Sequence, residues 1–166
     1  PGNHDAYVQA AIGFSTRDWG DYMRGDRGES FPFVRRRGPL ALVGLSTSLP
    51  TLPLAATGRL HGDQLMRLGD VLSALERDRA FRIVLIHHPP VPGLTASRRA
   101  LDDDAMLKDL LEAQGAELVL YGHNHRHGRQ SLIGRFGPVH VMGAPSATSP
   151  AKGTYDAAAW YLYRIR

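Results

Sequence analysis

The sequence predicts an α/β fold in which short buried strands alternate with amphipathic helices. In residues 63–78 and 101–114, apolar side chains recur at helical spacing. Each stretch is followed by a short apolar run, residues 81–86 and 117–121, too brief for a helix and continuous enough for a strand buried on both faces. The chain has 166 residues, 43% of them hydrophobic, which suffices for a core within a single domain over 1–166.

Residues 5–30 mix Gly, Asp and Arg with Tyr7, Phe14, Trp19 and Tyr22, and predict a loop carrying one short helix. Residues 33–37 and 40–46 read as a β-hairpin turned at Gly38-Pro39, and residues 47–57, with Pro50 and Pro53, as loop. The helix over 63–78 turns Leu65, Leu68, Val71, Leu72 and Leu75 inward and Arg67, Asp70 and Glu76 outward. The strand over 81–86 is interrupted only by Arg82 and ends directly at His87. A Pro/Gly/Ser loop over 89–100 leads to the second helix, with Met106, Leu107, Leu110 and Leu111 inward and Gly115 as its stop. The strand over 117–121 then delivers Gly122 and His123. Further strands are expected over 130–133, 139–142 and 158–165, mostly antiparallel because their connections are short.

Composition narrows the chemistry. Cysteine is absent, so disulfides and thiolate metal sites are excluded, and a bound metal would rely on nitrogen and oxygen donors. No run of about 18 apolar residues suggests a membrane span, and a cytoplasmic location is the default expectation. The isoelectric point of 9.8 rests on a net charge of +4 carried almost wholly by arginine. Arg35-Arg36-Arg37 and Arg98-Arg99 lack the interleaved aromatics of a single-strand nucleic-acid binder and read as solvated faces, with steering of a substrate phosphate as the other reading.

Three polar clusters carry the functional signal: Gly2-Asn3-His4-Asp5, His87-His88-Pro89-Pro90 and Gly122-His123-Asn124-His125. Two of them sit at strand ends. In a parallel sheet ligands bind outside the carboxyl ends of the strands, so those two loops converge if their strands are neighbours joined by a right-handed helical crossover. Imidazole, amide and carboxylate groups suit Mn, Fe, Zn or Co. His123 and His125, two residues apart in a tight loop, can reach different ions. Between His87 and His88 the first is favoured because it directly ends the strand.

Together the clusters resemble the calcineurin-like metallophosphoesterases, whose pattern runs D-x-H, G-D-x-x, G-N-H-D/E, a strand-ending His and G-H-x-H. The last three elements occur here in order. The resemblance implies a four-layer arrangement with a central β-sandwich flanked by helices, and a dinuclear centre of divalent or mixed-valence transition metals that activates a bridging hydroxide. It implies that Asn3, His87 and His123 ligate one ion and His125 the other, that His4 stabilises the phosphate and protonates the leaving oxygen, and that Asp5 orients His4. The expected substrate is a small anionic phosphoester, with phosphodiesters favoured because the His-His-Pro-Pro cluster and its Pro-Gly loop are similar to those of diester-cleaving members.

The chain begins inside the first cluster. The family's D-x-H motif and bridging aspartate precede that point, and neither Asp18 nor Asp21 sits in a matching context. The expectation is therefore that two strands and part of the site are missing and that the isolated chain is inactive. A degenerate phosphoesterase-fold scaffold is the alternative function, although scaffolds of that kind lose ligands and this chain retains those due in its span. An HNH-type nuclease or a single zinc on His123, His125 and His127 leaves Gly2 to Asp5 and His87 without a role. His127 is a candidate pocket residue, and His61 and His140 read as structural or surface groups.

Overall fold

The computed structural model describes residues 1–6, 13, 17–51 and 55–165. Its elements are β1 (Phe33–Arg37), β2 (Leu40–Gly44), α1 (Gly62–Arg77), β3 (Phe81–Leu85), α2 (Asp104–Gln114), β4 (Leu118–Tyr121), β5 (Gly128–Gly134) and β6 (Gly137–Gly143), with 3-10 turns at Asn3–Asp5, Gly20–Met23 and Ser97–Arg99. The expected α/β class is observed. The six strands form one sheet in the order β1-β2-β3-β4-β6-β5. The four inner strands run parallel, and β1 and β5 close the edges antiparallel.

Alternation along the strands sets up the core. Ala41, Val43, Val84, Val119, Val139 and Val141 are buried and cluster with Leu68 and Leu72 of α1 and Leu107 and Leu111 of α2. Each fully buried leucine stabilises the fold by roughly 1.5–3 kcal/mol relative to leaving it in water. The intervening residues Leu42, Leu85, Leu120 and Met142 point to the opposite face and are half-buried. Among the described residues the architecture is thus helices on one face of one sheet; a second sheet, as in the four-layer arrangement, is not among them.

Two parts of the expected layout differ. Residues 158–165 alternate like a strand but make no ladder, and Trp160 and Leu162 are 81% and 75% exposed. Their pattern supplies the side chains of a strand without a neighbouring edge to complete its backbone bonds. β6, expected to be antiparallel, is so only towards β5; it returns through that hairpin to lie parallel to β4. Of the loop expected over 5–30, residues 7–12 and 14–16 lie outside the described residues, as do residues 52–54 of the following loop.

Arg82, the one charged residue in the β3 run, is 2% exposed and remains ionised by pairing. Its guanidinium donates to Glu117 Oε1 at 2.7 Å and to the Gln114 carbonyl at 2.9 Å. Burial raises the Glu117 carboxyl, but the bonds from the Arg82 side chain and amide outweigh it and hold the group below its ordinary 4.5. A lowered carboxylate pKa stabilises the fold above the unfolded-state value, and the contribution is lost as pH falls through the folded value. Glu117→Gln is expected to cost about 1–3 kcal/mol near neutral pH. The difference from wild type should shrink below pH 4.5, as read from denaturant midpoints. A pH-independent difference would contradict the pairing.

Candidate metal centre

β3 and β4 are adjacent and parallel, with Leu85 opposite Leu120, so the residues that follow them leave the sheet side by side. The ladder continues beyond the strands through Ile86 N–H to the Leu120 carbonyl at 3.0 Å and Gly122 N–H to the His87 carbonyl at 3.1 Å. His87 and His123 are thereby brought together, their rings 5.0 Å apart and nearly perpendicular. The third participant is Asn3 on the first 3-10 turn, only 3% exposed. That turn is tied by the Gly2 N–H, which donates to Asp5 Oδ2 at 2.7 Å.

At the centre, His87 Nε2 lies 2.9 Å from Asn3 Oδ1 and 3.1 Å from His123 Nδ1. Asn3, His4, His87, His123 and His125 line one cavity of 470 Å³, together with Ala56, Arg99 and Tyr155. Every expected metal ligand and the expected acid thus face a common space. Asp5 is not on that lining; its described carboxylate bond is to the turn backbone.

Burial keeps the His87 and His123 imidazoles neutral. Burial, reinforced by His88, His4 and His125, pushes His87 down to about 3. Burial again, with His88, His87 and Arg99, brings His123 to about 3. A neutral imidazole carries one ring hydrogen and one lone pair. A hydrogen on His87 Nε2 would be shared between Asn3 Oδ1 and His123 Nδ1. His123 Nε2 and His125 Nδ1 are also buried and lack hydrogen-bond partners among the described residues. Neutral imidazoles grouped with an amide oxygen, two of their buried ring nitrogens meeting no partner among the described residues, are a donor set that a cation can complete, so these residues fit a metal site.

Strain points the same way. His123 and His125 occupy left-handed backbone at φ 65° and 53°, unusual for residues with a Cβ. Conformations of that kind cost on the order of 1–3 kcal/mol each and persist where surrounding structure enforces them, often at ligand clamps.

His88 also falls within the histidine cluster, with ligand atoms of His87, His88 and His123 all within 4.8 Å. Its own bonds remove it from ligation. Nε2 lies 3.0 Å from the Ala56 carbonyl, which only accepts, so that nitrogen carries the hydrogen; Nδ1 then accepts from Thr47 Oγ1 at 2.6 Å. Both nitrogens are occupied. His88, fully buried, is a wall that holds the loops around residues 47 and 56 against the two neighbouring rings, 5.0 and 4.4 Å away.

The flanking glycines divide. Gly2 is required by close approach, since a Cβ there would come 2.7 Å from His87 Cε1, while its φ of −101° is ordinary. Gly122 has open space around it and no positive φ, so neither close approach nor a left-handed backbone explains it. His127 is exposed, with its ring against Tyr161 and away from the cavity lining; His61 and His140 are exposed as expected. Arg99 and Tyr155 line the cavity beyond the expected site residues, and Thr47 supports it through His88. Tyr155 packs its ring 4.8 Å from His125, and only the paired arginines at 98–99 offered any sequence signal.

The family model for calcineurin-like phosphoesterases matches residues 1–127, which contain all three polar clusters. The chain belongs to this family. A probable cyclic nucleotide phosphodiesterase of Synechococcus sp. (strain WH7803) is 32% identical over 92 residues, covering 54% of this phosphoesterase-family chain and 34% of the relative. The match thus spans about a third of that relative's length. A dimetal phosphatase from Danio rerio, known from its crystal structure, aligns with a TM-score of 0.44 at 22% identity, over 52% of this chain and 27% of the other.

Proposed function

We propose that the protein is a metal-dependent phosphoester hydrolase acting on phosphodiesters through a dinuclear centre. The observation that carries this reading is the convergence of Asn3, His87, His123 and His125 on one cavity, where His123 Nε2 and His125 Nδ1 are buried without a hydrogen-bond partner among the described residues. Asn3, His87 and His123 would hold one ion, and His125 would reach the second. Mn, Fe, Zn and Co all suit this donor set. When bound, such ions supply positive charge against the phosphoryl oxygens and acidify water to generate the nucleophile.

The chain's own residues do the rest. The β3–β4 ladder fixes the separation of the His87 and His123 loops, so the donors are positioned before any ion arrives. His4, exposed on the cavity wall, is placed to hold a proton for the departing alkoxide. Asp5 steadies it by bonding the turn backbone. The relative described as a probable cyclic nucleotide phosphodiesterase supports a small diester as substrate.

Assay of diester and monoester substrates with Mn, on the protein at its full natural length, tests this reading. Metal-dependent cleavage with higher kcat/KM for diesters is expected. Failure of both classes under metal saturation would overturn hydrolysis, and a monoester preference would overturn the substrate assignment.

A further inference from the structure

The cavity contains a permanent cation that the ligand set does not use. Arg99 lies on its wall, half-buried, at the end of the 3-10 turn Ser97–Arg99. Among the described residues no acidic side chain lines the cavity and no carboxylate lies within ion-pair distance of this guanidinium. The acids nearest in sequence are otherwise engaged: Asp102 pairs with Arg59 at 2.9 Å, and Asp103 accepts from the Leu60 and His61 amides at 3.0 Å. The one described side-chain bond of Arg99 is a 3.3 Å donation to the His123 carbonyl, which leaves most of its five N–H groups for another acceptor. A half-buried guanidinium without a counter-charge is costly unless an anion completes it.

The backbone around it is held in place. Ala56 N–H donates to the Arg98 carbonyl at 3.0 Å, Gly58 N–H to Ala100 at 3.1 Å, and Asp102 N–H returns to Gly58 at 2.8 Å. Asn124, between the two histidines of the fourth-strand loop, donates its amide to the Leu94 carbonyl at 2.9 Å. The loop carrying Arg99 is therefore clamped on one side to residues 56–58 and on the other to the loop that carries His123 and His125.

From this placement we infer that Arg99 is the anion-gripping residue of the site, donating to a non-bridging phosphoryl oxygen of the substrate beside the His123 loop. The assignment rests on the phosphoester reading above and adds a specificity determinant to it. Planar, forked N–H groups suit two phosphoryl oxygens at once, whereas an ammonium offers a point charge.

The test uses the full-length, Mn-loaded protein, with inorganic phosphate as probe in calorimetric titrations of wild type, Arg99→Met and Arg99→Lys. Arg99→Met is expected to weaken phosphate binding about ten- to a hundred-fold, to raise KM for a diester more than it lowers kcat, and to leave metal content unchanged; Arg99→Lys should recover part of the loss. Unchanged phosphate affinity in Arg99→Met would overturn the assignment. So would metal loss in that variant, which would reduce the guanidinium to a prop for the His123 loop. If wild type cleaves no phosphoester yet binds phosphate in an Arg99-dependent way, the hydrolase reading falls and the anion site stands; if wild type binds no phosphate, the anion site falls.

Discussion

His123→Ala is expected to empty the metal site. The ring sits at the centre of the cluster, with Nδ1 3.1 Å from His87 Nε2 and Nε2 buried without a partner among the described residues, so its removal takes away a ligating nitrogen and the contact to His87. It also removes the face on which His88 packs at 4.4 Å, leaving room for His87 to turn away from Asn3. Changing a group that only supports a ligand weakens metal binding about 10- to 100-fold, so losing a ligand should cost on the order of 100-fold or more. Elemental analysis after gel filtration should show occupancy falling to a small fraction of wild type, with turnover falling in parallel and partly restored by excess metal. Alanine must also adopt φ 65° at this position, so circular dichroism should accompany the measurement. A folded variant with full occupancy would remove His123 from the ligand set.

His4→Gln should have the opposite signature: turnover falls about 10²- to 10⁴-fold, the range for loss of a general acid, while metal content stays at wild-type level. His4 is exposed on the cavity wall, whereas Asn3 beside it is buried against His87, which is why the two neighbours on one turn are expected to affect turnover and metal content separately. The decisive comparison is between leaving groups. An acid matters most when the departing oxygen is basic, so the defect should be large for an alkyl ester and small for a 4-nitrophenyl ester. An equal loss for both, or a loss of metal, would take the proton-donor role away from His4.

What the sequence disclosed follows from how local each signal is. Leu65, Leu68, Leu72 and Leu75 repeat at helical spacing, so α1 and its inward face could be read directly. β3 and β4 are short apolar runs separated by a helix, the pattern of a crossover between parallel strands, and the structure makes them neighbours, which is the condition on which His87 and His123 were expected to meet. Residues 158–165 misled because alternation describes the side chains of a strand and says nothing about whether an edge is present for its backbone. His88 was ambiguous for a different reason: which of two adjacent imidazoles has a free lone pair depends on the Ala56 carbonyl and Thr47, both more than 30 residues away. Arg99 and Tyr155 reach the cavity, and Thr47 the His88 ring behind it, from loops with no helical or strand period, so only the folded chain brings them there. Gly2 carried its reason in space as well, as a clash with a ring 85 positions further along.

The bonds from the Ile86 and Gly122 amides extend the central ladder into the loops that hold the imidazoles. Breathing of those loops is thereby linked to parting of two inner strands, an opening rarer than the fraying of an ordinary surface turn. Deuterium uptake at those two amides and escape of whatever the imidazoles hold should therefore wait on the same slow event, giving the pocket the lifetime of the sheet.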